Sequence, residues 1–315
     1  MSLVAVGACY VDTILSTSRY PGEDEKLRAS KIVRRRGGNC PNSLEVLQQL
    51  TAIFEQELAL NLVTVLPAKS SVASQQIISA LEPRVQLSHC IHRDQFQEPA
   101  SCYIIKSQST GSRTIVNHCE LPDMTVEEFV GIAEKLGPQA TWFHFEGRIP
   151  KVTLGCIQHL RRDFPSARIS VELEKPGREG LHELADHADV VFYSKTWAQN
   201  LGYTSAEECL RNQAARTQNA LLLCCTWGQD GADALDLKTG EFVHVDAFTP
   251  ADFHVIDPVG AGDTFNAGML YALNCKEKEW DLSEKVRFAN RLAGIKVAQE
   301  GFSGLGQAMG SYDPR

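Results

Sequence analysis

Short, nearly continuous apolar runs recur along the chain, separated by stretches whose apolar residues fall at helical spacing. The runs occupy residues 3–6, 60–66, 141–145, 169–173, 190–193 and 220–225. Runs of this length, apolar at nearly every position, read as strands covered on both faces. Between them, Val152, Cys156, Leu160 and Phe164 mark one amphipathic helix, and Leu44, Leu47 and Leu50 mark another. Ser283 is placed to cap a late helix carrying Val286, Ala289, Ala293 and Val297 on one face. Alternation of this kind predicts an α/β fold with a mostly parallel sheet and helices on both sides.

Two regions break the alternation. Residues 12–36 hold short strand-like pieces around the turn Pro21-Gly22-Glu23-Asp24. Within residues 96–118, two β-rich stretches flank Ser109-Thr110-Gly111-Ser112, a hairpin signal. These regions are expected to form a small β-sheet lid over the main body. The tail from Gly310 is expected to be loosely held.

Composition narrows the class. The chain has 315 residues, 43% hydrophobic and 22% charged, as a globular enzyme does. A net charge of −8 argues against nucleic acid as partner. The one basic run, Arg34 to Arg36, reads as a solvated strand or loop. The ten cysteines are scattered with no Cys-x-x-Cys, which suits free thiols in a reducing, cytoplasmic setting. His89-Cys90-Ile91-His92 lacks the further ligands of a zinc site. The apolar N-terminus has no basic n-region, so it reads as a first strand and not a signal peptide. No run is long enough to span a membrane.

The chemistry concentrates in two glycine motifs. Asp257-Pro258-Val259-Gly260-Ala261-Gly262-Asp263-Thr264-Phe265 precedes a helical pattern through Phe265, Met269 and Leu273. Gly260, Ala261 and Gly262 would then offer backbone N–H groups at a helix start, where donors and dipole favour an anion. Asp263, an acid in a site built for anions, suits a base that takes a proton from a hydroxyl attacking a phosphate. The alternative is a capping turn with Asp263 as a first-turn acid. Earlier, Arg36-Gly37-Gly38-Asn39-Cys40-Pro41-Asn42-Ser43 opens another helix. Asn39 and Asn42 put two amides on one side of it, suited to sugar hydroxyls. The alternative is a turn with Asn39 as N-cap and Pro41 in the first turn.

Together these motifs resemble the ribokinase-like (PfkB-type) carbohydrate kinases. Six further segments recur in order and resemble the ketohexokinase branch (the animal-type fructokinases): Tyr20 to Asp24, Ser112 to Val116, His144 to Arg148, Val171 to Pro176, Val190 to Lys195 and Gly231 to Leu235. The resemblance implies a single three-layer α/β/α domain over 1–315, with a lid from about 12–36 and 96–118. It implies ATP and Mg²⁺ as cofactors, leaves a monovalent cation such as K⁺ open, and implies a homodimer through the lid. The reaction implied is transfer of the γ-phosphate of ATP to a sugar hydroxyl, first of all the 1-hydroxyl of fructose. A ribokinase or nucleoside kinase, or a silent sugar-binding regulator, are the alternatives.

By the same resemblance Asp12, Gly38, Asn39 and Asn42 bind the sugar with Asp263. Asp24 reaches into a neighbouring subunit's site, or is a plain turn acid. Arg113 grips a phosphate, or is a surface strand arginine. Thr226, Trp227, Gly228, Gln229 and Gly231 border the nucleotide, and Asn290 lines the adenine pocket or is a surface polar residue. Glu172 and Glu174, two apart on a strand, hold Mg²⁺ through water, or pair with Lys175 or Arg148. The chain also departs from the family pattern. Pro258 stands where threonine is usual, Ser112 where ketohexokinases have asparagine, and Thr64-Val65-Leu66-Pro67 where a glycine-rich stretch is common. Ser194-Lys195 replaces the broad family's Asn-x-x-Glu. Neither a Gly-x-x-x-x-Gly-Lys loop nor a protein-kinase signature is present.

Overall fold

The computed structural model describes residues 1–312 apart from 82, 218, 251 and 252. The apolar runs become the middle of a nine-stranded sheet. From edge to edge its strands are Phe242–Val245, Ala232–Asp236, Leu222–Thr226, Val190–Ser194, Arg168–Leu173, Trp142–Glu146, Ser2–Val6, Ala59–Val63 and Val85–Gln86. Ala232–Asp236 pairs antiparallel with both of its neighbours, and the strands from Leu222–Thr226 onward run parallel. Alternate residues feed two cores. Val4, Val6, Phe143, Phe145, Ile169 and Val171 pack on one face. Leu3, Ala5, Leu60, Leu62, Trp142 and Phe192 pack on the other. Both faces need apolar side chains, so these strands read as continuous runs and not as alternation.

Three helices on the second face position the site. They are α1 (Asn39–Ile53), α2 (Ala261–Cys275) and α3 (Leu282–Val297). Leu44, Leu47, Phe265, Met269, Phe288 and Leu292 are fully or almost fully buried among them. Gly268 lets α2 lie against α3, since a Cβ there would meet Ala289 Cα at 2.7 Å. On the opposite face, Pro150–Asp163 and Val126–Leu136 complete the three layers.

A separate four-stranded sheet has the order Lys31–Gly37, Tyr10–Thr17, Ser101–Ser107, Arg113–His118. Its central pair is parallel and its outer pairs are antiparallel. Alternation along these strands gives it two unlike sides. Asp12, Cys102, Ile104, Arg113 and Ile115 face a cavity, while Ile32, Tyr103 and Val116 are exposed.

Several expectations are corrected. The run 60–66 is not one strand: Ala59–Val63 stays in the large sheet, while Val65–Pro67 pairs with Ile91–Arg93. The chain changes sheets at buried Thr64, whose carbonyl accepts from Ile91 N–H at 2.8 Å. Asp281, and not Ser283, caps α3, because Asp281 and Glu284 form a reciprocal capping box. Only Arg34 of the basic run is solvated; Arg35 and Arg36 are drawn in by acidic partners. The tail is held as far as Tyr312, which packs on Trp280 and Phe288; residues 313–315 lie outside the described part.

Candidate active site

A cavity of about 820 Å³ opens between the small sheet and the carboxyl ends of the parallel strands. Ligands of open α/β sheets bind outside those strand ends. Glu146, Glu172, Ser194 and Thr226 all sit at or next to the last residue of a parallel strand, and all line it.

The two glycine motifs meet across this cavity. Gly260 caps α2 with φ 82, a left-handed conformation natural to glycine, and supplies no side-chain cap. Among the described residues, only Ala261 of the Gly260–Gly262 amides finds a backbone acceptor, Pro258 O at a long 3.4 Å. A Cβ at Gly262 would meet no protein atom within 4 Å. The nest therefore faces open space with donors and helix dipole directed at it.

Asp263 follows in the first turn and is buried. Its Oδ2 accepts from Asn42 Nδ2 at 2.7 Å, and its carbonyl accepts from Ser43 Oγ at 2.9 Å. Asn42 is itself fixed by Arg36 Nη1, which donates to its Oδ1 at 2.9 Å; Arg36 also pairs with Glu45. Burial pushes the Asp263 carboxyl up to about 7; the Asn42 bond opposes this, and the charges of Glu174 and Glu146 add to it. Asp263 is thus no capping acid. It is a carboxylate held near neutrality beside a ring of donors.

Asn39 does not cap α1 either: Gly38 is the N-cap, with φ 105. Asn39 Nδ2 instead donates to Glu172 Oε2 at 3.1 Å and to Glu174 Oε2 at 3.0 Å. Both carboxylates therefore face the same way, and Arg148 is occupied by Asp123 at 4.0 Å. Burial, then the Asp263 and Glu174 charges, push Glu172 well above the usual carboxylate range. Glu146, raised by burial, accepts from Ala8 N–H at 2.9 Å. Asp12 is buried against the small sheet; a Cβ at Gly37 would meet its carboxylate at 2.5 Å, so only glycine allows that approach. Burial raises its carboxyl, and a hydrogen bond from the Cys102 thiol opposes the rise.

Asp12, Gly38, Asn39, Asn42, Arg113, Glu172, Glu174, Thr226, Gly260, Ala261, Gly262 and Asp263 are thus brought to one cavity. Other expected residues lie elsewhere. Asp24 is exposed in its turn with φ 57. Trp227 is buried and faces Lys195 at 5.4 Å, and Gly228 and Gln229 are exposed beyond Thr226. Gly231 closes a tight turn in which a Cβ would meet Val245 O at 2.0 Å. Asn290 is buried, its Nδ2 donating to Val245 O at 2.7 Å. Glu146, Lys175 and Arg178 line the cavity without having been singled out as site residues. For Glu146, the signal was there to be used: an acid ending a buried strand.

The pfkB family carbohydrate kinase model matches residues 1–305. Ketohexokinase of Mus musculus is 35% identical over 313 residues, covering 96% of this chain and 98% of the mouse protein. Ribokinase from Thermotoga maritima superposes with a TM-score of 0.76 at 17% identity, over 97% of this chain and 95% of that one. Arabidopsis thaliana ribokinase, solved with ribose and ATP, gives 0.75 at 17% identity over 99% of each chain.

Proposed function

We propose, for a chain that belongs to the pfkB family of carbohydrate kinases, the reaction of a ketohexokinase: ATP phosphorylates the 1-hydroxyl of fructose. The family makes the protein a sugar phosphotransferase. Fructose is favoured by the likeness to the mouse enzyme, and ATP by the ribokinase solved with it. The observation that carries the mechanism is the pairing of Asp263, at about 7, with an adjoining glycine helix start that opens onto the cavity.

In this reading Asp12, Asn39 and Asn42 hold sugar hydroxyls under the small sheet, which acts as a lid. Asp263 takes the proton of the attacking hydroxyl, within the pKa range a general base needs. The amides of Gly260 to Gly262 receive the charge on the moving phosphoryl group, and Arg113 grips it from the sheet. Thr226 and the turn after it border the nucleotide, with Asn290 behind them.

Glu172, Glu174 and Glu146 crowd anionic oxygens near one wall, as the upward pressure on Glu172 records. Among the described residues no three acidic, histidine or cysteine side chains are grouped to grip a metal directly, so Glu172 and Glu174 would anchor Mg²⁺ through its water shell. Bound there, the metal would offset phosphate charge. The exposed Ile32, Tyr103 and Val116 of the outer lid face support a lid-to-lid homodimer, with Asp24 at its edge. The ten free thiols support a reducing, cytoplasmic setting.

A coupled assay with MgATP and fructose, ribose or adenosine tests the proposal. Fructose should turn over fastest. Absence of phosphorylation of all three would overturn the kinase reading, and preference for ribose or adenosine would overturn the substrate.

A further inference from the structure

One ion cluster lies behind the nest and reaches the small sheet. Asp257 precedes Gly260 by three residues. Its Oδ2 accepts from Arg35 Nη1 at 2.8 Å and from Lys296 Nζ at 3.1 Å. The Lys296 ammonium also donates to the Asp257 carbonyl at 2.8 Å. Val259 N–H donates to Asp257 Oδ1 at 3.1 Å, and Gly301 N–H to Oδ2 at 3.3 Å. Lys296 is 0% exposed and lies 5.1 Å from the Phe302 ring centroid. That ring is what a Cβ at Gly260 would strike, at 2.4 Å. On the other side, Arg35 belongs to the strand Lys31–Gly37, where its register partner is Asp12.

Burying a lysine and an aspartate this far costs stability unless geometry repays it, and apolar residues of the same volume would fill the space as well. The cluster is therefore better explained by what it connects. It runs from Asp12 through Arg35, Asp257, Lys296 and Phe302 to Gly260, from the sheet to the head of α2. Two further ties follow the same path. Lys31 pairs with Glu300 at 2.9 Å, and Lys106 Nζ donates to Ile256 O at 3.2 Å. The Lys31 pair is exposed and weak; the Arg35 pair is shielded.

We propose that Arg35, Asp257 and Lys296 are positioning residues that couple the small sheet to the nest, so that sugar held under the sheet sets the amides for the phosphoryl group. The proposal rests on the sugar-kinase reading above. It requires that sugar and nucleotide reinforce each other's binding through this cluster, and such reinforcement is reciprocal.

The test is titration calorimetry with the β,γ-imido analogue of ATP, with and without saturating D-fructose, alongside thermal melts. In the wild-type protein fructose should tighten the analogue by at least about fivefold. In Arg35→Gln the factor should fall to about one with the fold intact. Arg35→Lys, which keeps the charge, should retain part of it. Lys31→Gln, which removes only the exposed tie, should keep the wild-type factor. A wild-type factor of about one overturns the proposal, and so does an unchanged factor in Arg35→Gln. If Arg35→Gln does not fold, an undiminished factor in Arg35→Lys overturns it instead. Failure of the kinase reading is seen separately, as a wild-type protein that phosphorylates no sugar.

Discussion

The helix starts at Gly38 and at Gly260 to Gly262 look alike and are not. Each has a glycine N-cap at positive φ and lacks a side-chain cap. At Gly38 a Cβ would meet the carbonyl oxygen of Ala8 at 2.1 Å, so the protein's own backbone demands glycine. At the second start the N-cap Gly260 is demanded too, since a Cβ would strike the Phe302 ring at 2.4 Å, but at Gly262 a Cβ would meet nothing within 4 Å, so packing does not demand glycine there. Gly38 and Gly260 serve packing. Gly262 keeps space clear for something that is not protein. A glycine-rich motif therefore becomes evidence for a ligand only once the fold has been shown not to need it.

The largest effect that sharpens this contrast belongs to the acid beside the open nest. Asp263→Asn keeps the shape and the contact with Asn42 but removes the base, so turnover should fall by about 10²–10⁴-fold. Steady-state rates with fructose and MgATP check this, and a loss below tenfold would separate Asp263 from the proton. Gly262→Ala keeps its N–H but should still cost about 10²-fold in rate, because the methyl holds the phosphoryl group away from the amides, an effect on the scale of losing one oxyanion donor. Its melting temperature should stay within a degree or two of wild type, since the added methyl strikes no protein atom. Early melting would mean that Gly262 too is a packing glycine.

Gly38→Ala should reverse that pattern. The strained φ and the backbone overlap should cost roughly 3 kcal/mol of stability. The melting temperature should drop by about 4–5 °C. An alanine variant that melts normally and fails only in binding would erase the distinction between the two motifs.

How much of this was legible in the sequence depends on whether the signal is local. The parallel sheet was, because strands buried on both faces leave continuous apolar runs such as that ending at Phe145. The nest and Asp263 were, because four adjacent residues carry them. The partners of the nest were not. Glu146 and Glu172 come together only because Trp142–Glu146 lies beside Arg168–Leu173, and strand order is not written in either segment. Asn39 shows tertiary contacts overriding a local rule. A helix-start asparagine ordinarily caps by accepting through its Oδ1, but here the close approach of Ala8 puts glycine at the N-cap, and Asn39, one residue on, donates its Nδ2 to two carboxylates. Ser283 shows two local rules in competition, in which the reciprocal box of Asp281 and Glu284 prevailed.

The smallest effects concern pH, and they probe the open side of the comparison alone. With its carboxyl raised to about 7, chiefly by burial, Asp263 is the active base only when deprotonated. Turnover should therefore fall about tenfold per pH unit below 7 and level off above it. Stability should move the opposite way. A folded carboxyl that titrates higher than the unfolded one holds its proton more tightly in the native state, so the fold is favoured at low pH. That contribution is lost as pH rises from about 4 toward 7. Asp263→Asn carries no such charge. It should melt above wild type at pH 8, with the gap closing as pH falls toward 4. Melting curves of the two proteins across this range decide the matter. A constant gap would mean that the buried charge is already compensated inside the protein, and that the nest and its acid are, like Gly38, a matter of packing.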